Sequence, residues 1–493
     1  MSVKNPHPER SSTANPKLVV MKFGGTSVED AAAILRTAGI VEGRVRKGLR
    51  PVVIVSAMAK VTDQLLACAA AAVAGRGDRE AAVEIIARLR ARHLQVASEL
   101  VTGQRLESFK LDIQRAFDGL EELVRGIAIL GELTPRSSDL IVSFGERLSS
   151  VMVAAAFAER GLSSAHIDAR DIILTNDHYG KATPDEPAIQ RTLEQHVLPL
   201  VTASKIPVMG GFIGSYKTLE SEPGITTTLG RGGSDYTAAL VGGALHAGAI
   251  EIWTDVDGIM TTDPRICPDA LRVRIISFEE AAELAYFGAK VLHPATILPA
   301  VQKNIPVFVL NSRNAANEGT RITATPPPCA SPFKSIAAKK KLTIIDIVAS
   351  RMLLAHGFLK MVFDIFDKHK CAIDMVSTSE VSISVTVDSR EALPAICEEL
   401  GRIADVKYES DKALICLVGE DIRGQSGIAA QVFAAVSHVN IRMISQGASE
   451  INMSFMINEE DVEEALRSLH HRFFASPDPN IFDLEARAIP SNA

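Results

Sequence analysis

Short apolar runs alternate with long amphipathic ones along most of this chain. Leu18-Val19-Val20-Met21 is too short for a helix and suits a buried strand, while Val28 to Leu35 behind it carries helical spacing. Strands are predicted at Leu18 to Phe23, Pro51 to Ser56, Ala165 to Asp168, Ile206 to Met209, Ile250 to Thr254 and Ile305 to Leu310. Arg79 to Thr102 and Leu106 to Ile129 repeat apolar residues at helical intervals and predict a helical lobe beside the sheet. The alternation runs from Lys17 to about Thr323, the pattern of an α/β fold whose parallel sheet is covered by helices on both faces.

Thr325-Pro326-Pro327-Pro328-Cys329 interrupts this pattern and marks a boundary. Beyond it the chain repeats itself. Gly357-Phe358, Val362-Phe363, Ile373-x-Met375-x-Ser377 and Glu380 return as Gly427-Ile428, Val432-Phe433, Ile441-x-Met443-x-Ser445 and Glu450, at an offset of 68 to 70 residues. Each copy reads strand (Leu342 to Val348; Ala413 to Val418), helix, two close strands (Ala372 to Ser377 with Val381 to Val387; Ile441 to Ser445 with Ile451 to Phe455) and helix. That order predicts two ferredoxin-like βαββαβ domains. The expected division is a disordered arm at 1–16, an α/β domain at 17–323, a linker or strand at 324–341, and ferredoxin-like domains at 342–410 and 411–485.

Of the 493 residues, 47% are hydrophobic and 23% charged, as in a globular protein with several cores. A net charge of −7 disfavours nucleic acid as a partner. No apolar run approaches the ~20 residues that span a bilayer, and Met1 to Pro16 lacks the hydrophobic core of a signal peptide, so no membrane partner and a cytoplasmic location are expected. The six cysteines show no CxxC spacing and the twelve histidines no metal-ligand spacing, so neither a metal site nor a disulfide framework is expected. His470-His471 and Lys339-Lys340-Lys341 read as solvated charges.

Two glycine-bearing segments carry candidate chemistry: Lys22-Phe23-Gly24-Gly25-Thr26-Ser27 and Leu229-Gly230-Arg231-Gly232-Gly233-Ser234-Asp235-Tyr236. Each lies between an extended run and a helical one, where backbone N–H groups and a helix N-terminus converge on an anion such as phosphate. Lys22 at the strand end adds a mobile positive charge. Ser27 with Asp30 forms a capping-box pattern, which predicts that the following helix begins there. Neither GxxxxGK[ST] nor a GxGxxG dinucleotide fingerprint occurs at the first turn.

These segments belong to a series of specific blocks: Lys22 to Val28, Gly145-Glu146, Gly211-Phe212-Ile213-Gly214, Thr226 to Tyr236, Trp253-Thr254-Asp255-Val256, Thr261-Thr262-Asp263-Pro264-Arg265 and Phe287 to Pro294. On them, from Lys17 to about Phe474, the chain resembles the monofunctional aspartate kinases of the amino-acid kinase family, with tandem ACT regulatory domains. The resemblance implies an αβα sandwich followed by two ACT domains. It implies transfer of phosphoryl from ATP, with Mg2+ on the nucleotide, to L-aspartate, the first step of lysine, threonine and methionine biosynthesis. Lys22 and Asp235 are then the expected catalytic residues. Ser56, Thr62, Glu146, Arg231, Gly232, Gly233 and Ser234 would bind the substrate, with Arg231 as a fork for a carboxylate and Glu146 as acceptor for the ammonium. ATP would meet Lys22, Phe23, the N–H groups of Gly24 and Gly25, Thr254, Asp255, Met260, Arg265, Lys290 and Val291. Met260 stands where the family often has tyrosine, Asp257 where it often has proline, and Asp263-Pro264 is equally a turn.

The first repeat resembles the lysine-sensitive subtype, which places an amino-acid effector at Met352, Gly357, Phe358, Leu359 and Asp374. Ala355 and His356 depart from the polar residues usual there. In this family one ACT unit can be inserted into the other, with a strand near Phe333 to Ala338 joining the later copy. A homodimer or tetramer is implied. Two other functions compete: a kinase for glutamate, acetylglutamate or carbamate, and a non-enzymatic amino-acid sensor whose kinase lobe is inert. Retention of Lys22, Arg231 and Asp235 speaks against the sensor, and the tandem repeat against the other kinases.

Overall fold

The computed structural model describes residues 15–74, 79–217, 224–287, 296–349 and 356–487. In chain order its elements are β1 (Asn15–Phe23), α1 (Ala31–Arg46), β2 (Arg50–Val55), α2 (Val61–Val73), α3 (Arg79–Leu100), α4 (Gly103–Leu130), α5 (Pro135–Glu159), β3 (Ser164–Ile167), α6 (Glu186–His196), α7 (Leu198–Thr202), β4 (Ile206–Gly210), β5 (Ile213–Tyr216), β6 (Ile225–Thr228), α8 (Gly233–Ala244) and β7 (Ala247–Thr254). Then come β8 (Leu271–Val273), β9 (Ile275–Ser277), α9 (Phe278–Tyr286), α10 (Leu298–Gln302), β10 (Val307–Asn311), β11 (Thr320–Thr323) and β12 (Ser335–Val348). The last are α11 (Phe358–Lys368), β13 (Met375–Thr378), β14 (Ser382–Val387), α12 (Leu393–Leu400), β15 (Asp405–Val418), α13 (Ile428–Ala435), β16 (Met443–Gln446), β17 (Asn452–Asn458), α14 (Val462–Phe473) and β18 (Phe482–Arg487). The chain divides into two compact units, residues 1–257 with 292–324 and residues 258–291 with 325–493.

The first unit is an α/β sandwich. Its sheet runs β3-β4-β2-β1-β7-β10-β11, parallel through β10 and antiparallel at β11. Alternation along β1 sends Val19, Met21 and Phe23 into a core shared with α1 to α5, while α8 packs against β1 and β7. Helix α5 is the one described helix long and apolar enough to cross a membrane, and its scattered charged residues hide it from a search for apolar runs. It is a core helix: 78% of its apolar window is buried, and Asp139 and Glu146 point from it into the unit. Helix α1 starts at Ala31 rather than at Ser27. Asp30 is its N-cap, accepting the Ala33 N–H at 2.7 Å. The expected Ser27 capping box fails because Ser27 is buried and its hydroxyl lies 2.8 Å from that of Ser312, a long-range partner with no local signature.

The second unit carries a six-stranded sheet in the order β13-β14-β12-β15-β17-β16. Two fourteen-residue strands, β12 and β15, lie antiparallel through its centre from Ser335↔Val418 to Val348↔Asp405, with register shifts near Leu342. The later half of β12 and the early half of β15 belong to the first ferredoxin-like repeat, and the remaining halves to the second. The second repeat thus takes its fourth strand from Ser335 onward, as the family pattern implied, and not from its own C-terminus. After α14 the chain instead forms β18, antiparallel to β8. A fully buried ion pair, Lys334 Nζ to Glu280 Oε2 at 2.9 Å, fastens α9 to the start of β12. Neither His470 nor Lys339 is the solvated charge its sequence setting predicts. His470 is buried, 2.9 Å from the Thr261 hydroxyl and stacked on Phe474, so only His471 of that pair is exposed. Lys339 leaves its run of lysines to pair with Asp374, its Nζ 2.8 Å from the carboxylate.

Candidate active site

The C-terminal ends of β1, β2 and β4 meet along one edge of the parallel sheet, where open α/β sheets hold their ligands. The loops leaving these strands form a cleft of about 560 Å³. Lys22, Gly25, Ser56, Thr62, Glu146, Arg231, Gly232, Gly233, Ser234 and Asp235 all line it. Residues separated by some two hundred positions in sequence are thus brought to one surface.

Lys22 anchors the arrangement. Its ammonium lies 2.8 Å from Asp235 Oδ1, with both side chains nearly buried. Asp235 sits in the first turn of α8, whose N-cap is Gly232 in the left-handed region at φ 72°. Only glycine adopts that conformation freely, and it turns the β6–α8 loop so that Arg231 and Ser234 both face the cleft. The first cradle approaches backbone just as closely. A Cβ on Gly25 would lie 3.0 Å from the Ala57 carbonyl oxygen, so a side chain there would push against the β2–α2 loop.

One expected donor is engaged elsewhere. The Gly24 N–H donates to the Trp253 carbonyl at 3.0 Å, which joins β1 to β7 and leaves Gly25 as the glycine of the pair that borders the cleft. Phe23 is likewise fully buried and stacks on Trp253 at 6.0 Å between centroids, so its side chain belongs to the core. Thr254 ends β7 and Asp255 follows it, with a hydrogen bond of 3.3 Å between their side chains. Met260 and Arg265 belong to the second unit. There the Met260 carbonyl accepts the Ser335 hydroxyl, and Asp263 and Arg265 form a tight turn, N–H to Oδ1 at 2.9 Å and guanidinium to carboxylate at 2.6 Å. Lys290, Val291 and Met352 lie outside the described residues.

Glu146 is the electrostatic oddity of the cleft. It is buried, and one carboxyl oxygen accepts the Ala57 N–H at 3.1 Å while the other has no partner among the described residues. Burial pushes its pKa up to about 8, with the Ala57 N–H and the charge of Lys22 pulling the other way. A buried carboxyl with a free oxygen suits an incoming ammonium.

Asp139 carries no signal in the sequence, yet it shapes the site. From α5 its carboxylate accepts the Thr228 N–H at 2.9 Å, the Thr228 hydroxyl at 2.8 Å, and the Gly180 N–H at 2.9 to 3.0 Å. It pins the end of β6 immediately before the Gly230-Arg231-Gly232 turn. Burial raises its pKa against the lowering effect of these bonds. Among the described residues no cluster of three or more His, Cys, Asp or Glu side chains could hold a metal ion.

In the second unit, Gly357 is the N-cap of α11 at φ 85°, Phe358 is buried and Leu359 is 41% exposed. Asp374 is not an exposed acid: its side chain is 4% exposed, with Lys339 Nζ 2.8 Å from both oxygens and the Tyr286 hydroxyl donating at 3.1 Å.

Known proteins resemble the chain over nearly its whole length. The sequence profile of the amino acid kinase family matches residues 17–311 and that of the ACT domain residues 415–473. The lysine-sensitive aspartokinase 3 of Escherichia coli (strain K12) is 37% identical over 472 residues, 93% of this chain and 99% of that protein. The chloroplastic aspartokinase 2 of Arabidopsis thaliana is 38% identical, over 94% of this chain and 86% of that one. Solved structures of E. coli aspartokinase III, one with lysine and aspartate (T-state) and one with aspartate and ADP (R-state), superpose with TM-scores of 0.79 and 0.78 over 93% of this chain and all of theirs, at 37% identity.

Proposed function

The chain belongs to the aspartokinase family, and on that premise we propose how its first unit transfers the γ-phosphoryl group of ATP to the side-chain carboxylate of L-aspartate, giving ADP and 4-phospho-L-aspartate. The acceptor carboxylate, with a pKa near ~3.9, is already ionised at neutral pH, so no general base is needed. The difficulty is electrostatic, since an anion attacks an anionic phosphoryl group. Lys22, held by Asp235 at 2.8 Å, presents its ammonium to the charge that spreads over the transferring group. The N–H of Gly25 and the N-terminus of α8 add fixed partial charges.

Arg231 takes a substrate carboxylate in its planar fork, Glu146 takes the ammonium, and Ser56, Thr62 and Ser234 supply neutral hydrogen bonds. Thr254, at the end of β7, and Asp255 after it meet the nucleotide. Mg2+ enters with the nucleotide, carried on phosphate oxygens. The observation that carries this reading is the Lys22–Asp235 pair in the same cleft as the buried, half-partnered Glu146.

The part of the second unit from 325 onward is regulatory, with ACT domains near 342–410 and 411–485 completed by the strand before them. Lysine is the effector, as the complex of the E. coli relative suggests, contacting Gly357, Phe358, Leu359 and Asp374. A cytoplasmic homodimer or tetramer fits this role. The six free cysteines agree, several of them pushed up by burial, Cys416 to about 12, which keeps them unreactive.

Aspartate-dependent ADP release, measured against glutamate, N-acetylglutamate and carbamate and repeated with lysine and threonine, tests the reading. Aspartate is expected to exceed glutamate by roughly 10- to 200-fold in kcat/KM, the discrimination a single methylene gives. Equal or better turnover of another acceptor would refute it, and threonine inhibition without lysine inhibition would refute the effector alone.

A further inference from the structure

A second cavity of about 190 Å³ lies in the first unit among α4, α5 and the segment after β3, and the reaction above does not use it. Phe109, Ile113, Phe144 and Leu148 give it apolar walls. Arg147 also lines it, with its guanidinium 4.8 Å from the centroid of Phe144 and no hydrogen bond or ion pair to any described residue. The carboxylate available in the cavity, Asp168, is already engaged: Arg170 holds both its oxygens at 2.6 to 3.1 Å. Asp112 is 57% exposed and lies 3.6 Å from Arg115. His166 lies 3.1 Å from the Ser150 hydroxyl, and burial lowers its pKa, so it stays neutral near pH 7.

Two guanidinium groups therefore share one carboxylate. Burial brings the Arg147 pKa down to about 10, which still leaves it charged at neutral pH. A largely desolvated cation with only a share of one carboxylate, and no hydrogen bond to it, is incompletely compensated, and a second anion relieves it. The volume is below the ~300 Å³ at which ordinary ligand pockets begin, and the walls are hydrocarbon, so the anion must be small and carry an apolar body. Inorganic phosphate is small enough but is hydrated on all sides and has no apolar body.

We propose that this cavity is a binding site for a small amphipathic carboxylate, its carboxyl group forked by Arg147 and its hydrocarbon body laid against Phe109, Ile113 and Phe144. The site is separate from the aspartate cleft, and the proposal stands or falls independently of the substrate reading. Titration calorimetry on the full chain, with 4-methylpentanoate as the probe and 4-methylpentanamide as its neutral counterpart, tests it. The carboxylate is expected to bind and the amide to bind at least about tenfold more weakly, the worth of one charged hydrogen-bonded contact. Arg147→Met, which keeps the side-chain stem, should weaken the carboxylate by a similar factor. Ala116→Leu, which fills the cavity and leaves the charge, should block it as well, and Arg231→Ala should leave it unchanged. No uptake by the wild-type chain, wild-type affinity in both cavity variants, or loss of binding in Arg231→Ala, which would move the probe to the substrate cleft, each overturns the proposal.

Discussion

Lys22 Nζ stands 2.8 Å from Asp235 Oδ1, and this one pair ties the end of β1 to the first turn of α8. If Asp235 acts by holding Lys22, the two side chains form one functional unit and their substitutions will not add. Lys22→Met should lower kcat by about two orders of magnitude, the usual effect of removing a donor to developing charge. Asp235→Asn should lower it as well, and the double variant should be no worse than the poorer single one. Additive losses in kcat would show that the residues act separately. Trp253, the one tryptophan, lies beside Gly24 and Thr254 and offers a fluorescence check that each variant still folds.

The raised pKa of Glu146 makes aspartate binding depend on pH. With the cleft empty at pH 7 the carboxyl is largely protonated, since its pKa is about 8. An ammonium ligand favours the ionised form, so binding releases a proton and aspartate affinity should rise with pH up to about 8 and then level. Glu146→Gln should raise the aspartate KM by roughly tenfold and flatten that pH dependence. The same shift affects stability with the opposite sign from a paired carboxylate. The folded chain keeps a proton that the unfolded chain releases above the usual value of 4.5, so stability is withdrawn between about pH 4.5 and 8. Glu146→Gln should lose less melting temperature than wild type across that window, as calorimetry at several pH values would show.

Asp139 touches neither cradle directly, yet it fixes the turn that presents Arg231. Asp139→Ala leaves the Thr228 and Gly180 amides without their acceptor and should cost roughly 2 to 3 kcal/mol of stability, seen as a lower denaturant midpoint. It should raise the aspartate KM more than the ATP KM, because the disturbed loop is the one that carries Arg231. Equal effects on both substrates would argue for a general loss of fold.

Lys339 already supplies an ammonium to Asp374, at 2.8 Å, and is also 3.2 Å from Asp388. An effector ammonium that uses Asp374 must displace it. Lys339→Met should therefore leave uninhibited activity intact and lower the lysine concentration for half-inhibition by roughly three- to tenfold. Asp374→Ala should abolish sensitivity. Weaker lysine inhibition in Lys339→Met would show that this lysine supports the effector site instead of competing for it.

Much of this architecture is legible in the chain because it is local. The predicted strands of the first unit fall within a few residues of β1 to β4, β7 and β10, and Arg79 to Leu100 and Gly103 to Leu130 are helical as their apolar spacing demands. The glycine turns point to the cleft for the same reason: Gly232 needs its left-handed backbone whatever surrounds it. The failures share a different cause. Ser27 has the pattern of a cap, but its partner is Ser312. Gly24 has the setting of a phosphate donor, but its N–H serves Trp253. Lys339 sits in a run of lysines, but it meets Asp374 just before β13, and the partners of Asp139 lie far along the chain. Hydrogen bonds between distant segments leave no periodicity to detect. The regulatory sheet sits between these cases, since the repeat announces two similar domains and only the pairing of β12 with β15 shows how they share their central strands.

Phosphoryl transfer to aspartate at the Lys22 cleft is the central claim, and trapping the product tests it most directly. Purified protein would be incubated with ATP, Mg2+, aspartate and hydroxylamine, and aspartyl hydroxamate counted against ADP. The wild-type chain is predicted to form the two in equal amounts, and Lys22→Met about a hundredfold more slowly. ADP release without hydroxamate, or hydroxamate formed at the wild-type rate by Lys22→Met, would contradict it.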